Sequence, residues 1–184
     1  MKPQLTLDLT IANTPVGPIG LYGLKHELVG LTLDGRHGPE QRHEQFLGRH
    51  LGAFTTRRAP DAAGAATRLA RYFAGELAAL DEQPLRMTGT AFQRRCWTRL
   101  REVKSGQTMS YAQLAAAIGQ PSAVRAVAAA NGANILALFI PCHRIIAANG
   151  TLWGYGGGLS MKQWLLTHEH ARFTPLTPQE SLPL

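Results

Sequence analysis

Apolar and polar residues alternate near the start of the chain. In the segment from Gln4 to Ile11, the side chains of Leu5, Leu7, Leu9 and Ile11 fall on one face of an extended backbone, which predicts a half-buried strand. Thr14-Pro15-Val16-Gly17-Pro18 reads as a turn. Ile19 to Leu24 and Leu28 to Leu33 read as two further short strands ending at Asp34-Gly35, and the three together suggest an antiparallel meander. The period then changes. Leu69, Tyr72, Phe73 and Leu77 recur at helical spacing and predict a helix from Ala65 to Leu80, with Pro84 closing this half. Residues 36–60 are polar and rich in His and Arg, and no period assigns them.

The pattern turns helical after a boundary near residues 84–90. Phe92, Cys96, Trp97, Leu100 and Val103 make one apolar stripe, so Cys96 reads as a core thiol without chemistry. Ser105-Gly106-Gln107 breaks this helix. Ser110 caps the next, which carries Tyr111, Leu114, Ala115 and Ile118 on one face. Gly119-Gln120-Pro121 turns the chain, and Ser122 starts a helix from Ala123 to Ala130. Helix, short turn, helix is the helix-turn-helix pattern. Its second helix is mostly alanine with one arginine, Arg125, whereas a helix that reads base edges in the major groove carries several long polar side chains. This one suits a shallow or narrow surface. Further on, Ser160 and Gln163 read as a capping box for a last helix with Met161, Trp164, Leu165 and His168 on one face. Glu169 leans toward the core, where a carboxylate needs a partner and an imidazole is a good one.

Composition adds bounds. The 184 residues are 45% hydrophobic and 17% charged, ordinary for a folded protein of one large or two small domains. No run approaches the length of a membrane span, and the start of the chain lacks a signal-peptide core, so a cytoplasmic protein is expected. Two cysteines make no disulfide framework, and the seven histidines show no zinc spacing. His168-Glu169-His170 is a poor metal site on a helix, because residues two apart diverge. The net charge is +7. Residues 1–88 hold ten Lys and Arg against nine Asp and Glu; residues 89–184 hold nine against three. The positive excess therefore lies in the second half. Charge alone leaves open a polyanion partner and a merely solvated basic face.

The chemistry is concentrated after the apolar run Ile135 to Ile140, in Pro141-Cys142-His143-Arg144. A thiol beside a His and an Arg has the ingredients of a lowered pKa, and the thiolate is the attacking form. A buried structural Cys is the alternative. Neighbouring side chains usually diverge, so His143 could act on Cys142 only through an irregular backbone or a bridging water, and Pro141 favours the irregular backbone. Downstream, Trp153 and Tyr155 interrupt the glycines of Gly154-Tyr155-Gly156-Gly157-Gly158, unlike a flexible linker.

This tetrad resembles the active-site motif of the methylated-DNA–protein-cysteine methyltransferases, or O6-alkylguanine-DNA alkyltransferases. The likeness includes Ser110-Tyr111, Arg125, Asn134, Gly154-Tyr155-x-Gly157-Gly158, and Lys162 to Glu169, and spans about residues 90–170. Residues 1–88 resemble the family's variable N-terminal domain only loosely. The resemblance implies an α+β protein: a ribonuclease-H-like α/β domain over 1–88, a helical winged-helix-like domain over 89–172 that binds DNA and accepts the alkyl group, and a tail over 173–184. It implies stoichiometric transfer of an alkyl group from O6-alkylguanine, and from O4-alkylthymine as a further substrate, to Cys142 after nucleotide flipping. His143 takes the thiol proton through a water, Glu169 orients His143, and Asn134 joins the DNA-binding and catalytic segments. Tyr111 rotates the nucleotide out and protonates the leaving base. Arg125 fills the stack, with Ser110, Tyr111, Ala126, Ala129 and Arg144 as further DNA contacts. Tyr155, Gly156, Gly157 and Lys162 line the pocket.

The partner so implied is the minor groove of double-stranded DNA carrying alkylated bases, met by a monomer with no membrane association. No cofactor is required. Ile135 and Ala137 stand where some members have prolines, and Gly156 where Ser or Ala is common, which leaves the pocket width open. The N-terminal half has no cysteine, so the structural zinc of some relatives is not expected. Cys142 separates the chain from alkyltransferase-like proteins that carry Trp there. Two other readings are a non-catalytic lesion-binding or transcriptional helix-turn-helix protein, and a Cys-His hydrolase; the latter lacks a clear oxyanion-hole turn.

Overall fold

The computed structural model of the chain describes residues 5–33, 47–49 and 51–177. It divides into two compact units, Met1–Gly89 and Thr90–Leu184. The first is built on a four-stranded sheet. Strands β1 (Leu5–Thr14), β2 (Gly17–Leu24) and β3 (Glu27–Leu33) form an antiparallel meander, and β4 (Phe54–Arg58) pairs parallel with β1, giving the order β3-β2-β1-β4. Leu7, Leu9, Ile19, Leu21, Leu28, Val29 and Leu31 are buried. The alternation fails at the middle of β1. Ile11 is 40% exposed while Thr10 is buried, because the Thr10 hydroxyl donates to Ala59 O (2.7 Å) and accepts from Ala62 N (2.9 Å). β4 lies in the stretch the pattern left unassigned; most of the remainder of that stretch, with the Asp34-Gly35 turn, lies outside the described residues.

Helix α1 (Ala65–Phe73) is shorter than the expected 65–80. Gly75 takes φ +103, which stops the helix, and Leu77 lies beyond it in a run of turns. A short 3-10 turn, Ala62–Gly64, precedes α1.

In the second unit, α2 (Ala91–Arg101) starts at a complete capping box between Thr90 and Gln93. It buries Cys96, Trp97 and Leu100 as the stripe requires. After strand β5 (Met109–Ser110), α3 (Tyr111–Ala117) begins at a second capping box, Ser110 with Gln113. Helix α4 spans Val124–Gly132 and starts later than expected: Ala123 is its N-cap, and no side chain caps it. Helices α2, α3 and α4 pack together, with the Trp97 indole N–H donating to Ala130 O of α4 (2.8 Å).

Strand β6 (Ile145–Ile146) pairs parallel with β5. Helix α5 (Leu159–His168) closes the unit. Its N-cap is Gly158 at φ +86, not Ser160; a backbone that only glycine adopts readily starts the helix two residues early. Gln163, freed from capping, accepts from Leu176 N at 2.6 Å. The buried face of α5 is Met161, Lys162, Leu165 and Leu166, while Trp164 and His168 stack on each other at its margin. Of the expected tail, Phe173 and Leu176 pack against a cluster of Ile146, Leu152 and Leu166; residues 178–184 lie outside the described residues. No described helix is long and apolar enough to cross a membrane.

Candidate active site

The site is made by a single 3-10 turn, Cys142–Arg144. The apolar run before it is a compact loop, not a strand. Ile140 N donates to Leu136 O (2.8 Å), and Leu138 takes φ +69. Asn134 ties the loop from inside: its Nδ2 donates to Ile140 O (2.8 Å) and its Oδ1 accepts from Leu136 N (2.9 Å). Pro141 then leads into the turn, whose three consecutive side chains are all buried.

His143 is wholly buried, and its Nε2 lies 2.9 Å from Glu169 Oε1 at the C-terminal end of α5. A carboxylate only accepts, so the proton sits on Nε2. His143 Nδ1 is buried with no hydrogen-bond partner among the described residues. The tyrosine ring of Tyr155 meets the imidazole edge-on, with centroids 6.3 Å apart. Arg144 does not point outward, and this corrects its expected place among the DNA contacts. It is 2% exposed, and a guanidinium so buried reaches no phosphate. Its Nε donates to Glu169 Oε2 (2.8 Å) and its Nη2 to Glu169 Oε1 (2.8 Å) and Ser105 Oγ (2.7 Å); Nη1 donates to Val103 O (2.5 Å). Lys162 is likewise buried. Its ammonium donates to Ile145 O (2.6 Å) and Trp153 O (2.7 Å), so it clamps the turn to the glycine loop and offers no side chain to a ligand.

The electrostatics correct a second expectation. Burial pushes the Cys142 thiol up, against the Asn134 side chain, the Lys162 ammonium and the backbone N–H groups of Cys142 and His143, which pull it down. The resting group is a thiol, not a low-pKa thiolate. Burial also holds His143 below the ordinary imidazole value; Glu169 opposes this, and Arg144 and Lys162 add to it. Burial alone would raise Glu169, but hydrogen bonds and charge from His143 and Arg144 hold it well below the usual carboxylate range. The resting set is therefore a thiol, a neutral imidazole protonated on Nε2, and a carboxylate neutralised by Arg144. Burial lowers Lys162 to about 8. Tyr111, at the start of α3, is pushed up by burial and by Cys142, while the Asn131 side chain pulls it down.

The structure thus gathers Cys142, His143, Glu169, Asn134, Tyr111, Tyr155 and Lys162. Arg125, Ala126, Ala128 and Ala129 stand apart on the exposed face of α4, while Val127, Ala130 and Asn131 face inward. Ser110 is spent on capping α3. In the glycine loop, a Cβ on Gly157 would meet Met161 Sδ at 2.3 Å, whereas one on Gly156 meets nothing within 4 Å. Among the described residues no group of three His, Cys, Asp or Glu could hold a metal ion. Sequence patterns missed the anchoring of Arg144 to Val103 and Ser105. The only trace was the scarcity of acids in residues 89–184, which leaves a buried arginine few carboxylates to choose from.

Residues 91–171 match the family model described as 6-O-methylguanine DNA methyltransferase, DNA binding domain. A methylated-DNA–protein-cysteine methyltransferase of Salmonella typhimurium is 45% identical over 159 residues, covering 85% of this chain and 91% of the relative. One from Shigella flexneri is 49% identical over 158 residues, with the same coverages. The crystal structure of Mycobacterium tuberculosis O6-methylguanine methyltransferase superposes with a TM-score of 0.73 at 37% identity, covering 94% of this chain and 98% of that one. The Mycobacterium tuberculosis OGT solved in complex with DNA gives 0.71 at 35% identity, covering 90% and 95%. With relatives this similar matched over nine-tenths of their length, the chain belongs to the methylated-DNA–protein-cysteine methyltransferase family.

Proposed function

We propose that the protein repairs DNA by moving an alkyl group from O6-alkylguanine, and from O4-alkylthymine as a further substrate, onto Cys142. The observation that carries this is the buried Cys142–Arg144 turn, in which Cys142 directly precedes an imidazole whose Nε2 is hydrogen-bonded to Glu169. His143 Nδ1 takes the Cys142 proton through one bridging water. The thiolate sulfur attacks the alkyl carbon, an S–C bond forms, and the C–O6 bond breaks with its electron pair passing to the base. Tyr111, a protonated phenol, supplies the proton that the leaving guanine needs and regains one from the imidazolium. The product thioether has no easy leaving group, so each molecule acts once. No cofactor enters the balance.

Inside a duplex the O6 substituent is stacked and out of reach, so the nucleotide turns out of the helix before reaction. The small-residue face of α4 suits a minor groove, where close approach matters more than long polar side chains. Arg125, alone on that face, fills the stack behind the flipped base; Ser110 and Tyr111 crowd its phosphate, and Ala126 and Ala129 line the groove. Tyr155, Gly156 and Gly157 wall the base pocket. On this reading residues 1–88 are the ribonuclease-H-like domain, 89–172 the winged-helix-like domain and 173–184 a tail.

The test is the intact mass of the protein after incubation with duplex DNA carrying O6-methylguanine. A gain of one methyl group that peptide mapping places on Cys142, and that Cys142→Ala lacks while still binding DNA, is the expected result. No mass gain would leave a lesion-binding protein, and an alkyl group on Cys96 would overturn the assignment.

A further inference from the structure

Arg144 is the most heavily hydrogen-bonded side chain of the site, yet it is buried away from any surface a substrate could reach. Its guanidinium makes four contacts: both oxygens of Glu169, the Val103 carbonyl and the Ser105 hydroxyl, all between 2.5 and 2.8 Å. Two of these anchors, Val103 and Ser105, lie just past the C-terminal end of α2, in a different part of the unit from both the turn and α5. A planar fork held at so many points has one orientation, and a carboxylate gripped by it on both oxygens cannot rotate. Glu169 Oε1 is shared by Arg144 Nη2 and His143 Nε2.

We propose that Arg144 is a positioning residue for alkyl transfer: it locks the Glu169 carboxylate in one orientation and keeps His143 neutral, so that Nδ1 is the atom left to receive the thiol proton. The inference rests on the alkyl-transfer reading above and deepens it. Its physical core is a choice of partner. A buried carboxylate demands one positive charge. If Arg144 supplies that charge, the imidazole need not. If Arg144 is removed, the cheapest remaining cation is His143 itself, and an imidazolium has no lone pair to offer the thiol.

The charged groups acting on His143 are Glu169 and Lys162 from α5 and Arg144 from its own turn; the Tyr155 ring lies at its edge. Glu169 favours the imidazolium, while Arg144 and Lys162 disfavour it. The sign for Arg144 is therefore fixed. Its loss raises the proton affinity of His143, and the acid limb of the rate-against-pH profile moves to higher pH.

The experiment measures single-turnover alkylation by free O6-alkylguanine base between pH 5 and 9, for wild type, Arg144→Met and Arg144→Lys. Expected for Arg144→Met is an acid limb displaced upward by about one pH unit or more, which makes transfer several-fold slower at pH 6, approaching about tenfold near pH 5, with a largely recovered rate near pH 8.5. Arg144→Lys keeps the charge and should keep the limb near its wild-type position. A merely structural Arg144 predicts the same fractional loss at every pH, and parallel profiles would overturn the proposal. Should Arg144→Met fail to fold, the wild-type protein still decides: nitrogen NMR at pH 7 should show His143 neutral with its proton on Nε2. An imidazolium signal there, or a proton on Nδ1, would overturn the inference. That readout needs no alkyl transfer, so it separates failure of this proposal from failure of the alkyl-transfer reading, which the mass measurement on wild type tests.

Discussion

His143 sits between two charges that pull its proton affinity in opposite directions, and the proposed reaction uses both. On the proposed mechanism, Arg144 keeps the resting imidazole neutral and Glu169 stabilises the imidazolium that forms once the thiol proton has moved. Because burial pushes the thiol up rather than down, the free thiolate is scarce at neutral pH, and on the proposed mechanism transfer of its proton to His143 sets the rate. Alkylation by wild type should therefore hold steady as pH falls from about 8.5 to about 6.5 and decline only below the ordinary imidazole value, since His143 is held below it. Glu169→Gln keeps the shape and an acceptor for Nε2 but loses the charge. Transfer should slow about a hundredfold, in line with loss of general-base assistance. Its acid limb should move to lower pH, opposite to that expected for Arg144→Met. Single-turnover rates against pH, on variants whose circular dichroism matches wild type, read this directly. Superimposable profiles for wild type and Glu169→Gln would remove Glu169 from thiol activation.

At the scale of elements, the glycine loop and α5 form one mechanical piece. Gly158 starts the helix, Met161 in its first turn lies against Gly157, and Lys162 one residue on grips Trp153 O and Ile145 O. The loop therefore holds Tyr155 against His143 through buried contacts rather than through its own composition. Neighbouring glycines in it should respond differently to the same change. Gly157→Ala drives a methyl group into Met161 and should cost about 1–3 kcal/mol of stability, as overpacking does. Gly156→Ala meets open space and should change stability by less than about 0.5 kcal/mol. Urea unfolding of the two variants checks the contrast, and equal losses would show that the loop tolerates no side chain at either position.

For the whole molecule, the buried network makes stability depend on pH. Glu169 is held below the usual carboxylate range and His143 below the usual imidazole value, so both bind protons more readily in the unfolded chain. Wherever the unfolded state binds more protons, stability rises with pH. Both terms are therefore present at neutral pH and are lost on acidification, His143 first below about 6.5 and Glu169 below about 4.3. Glu169→Gln leaves Arg144 without its buried carboxylate and should lower stability at pH 7 by about 3–5 kcal/mol. That difference from wild type should shrink as pH falls from about 4 toward 2, where the wild-type carboxylate loses its advantage. Urea unfolding of both proteins at a series of pH values is the measurement. A difference that stays constant from pH 7 to pH 2 would mean that the Glu169 charge contributes nothing to the fold.

Local patterning by itself determined much of this protein. The period-two and helical stripes placed β1 to β3, α2 and α3, because those elements bury one face and are capped by residues next to them, as Ser110 and Gln113 are. The Pro-Cys-His-Arg tetrad marked the turn on which the proposed chemistry rests, since the proposed nucleophile and base are consecutive in the chain. Patterning failed where a backbone or a distant group decides. Gly75 and Gly158 set helix ends that side-chain periodicity placed elsewhere. Thr10 is buried against the alternation because it satisfies backbone groups about fifty residues away. The family resemblance implied that Arg144 contacts DNA and Lys162 lines the pocket. Tertiary structure alone turned them inward, because their partners are backbone carbonyls and a carboxylate far along the chain, and a carbonyl leaves no mark in a sequence. The same burial decided the state of Cys142: the Asn134 side chain, the Lys162 ammonium and nearby backbone N–H groups would lower its pKa, but removal from water acts more strongly and keeps the proton on sulfur.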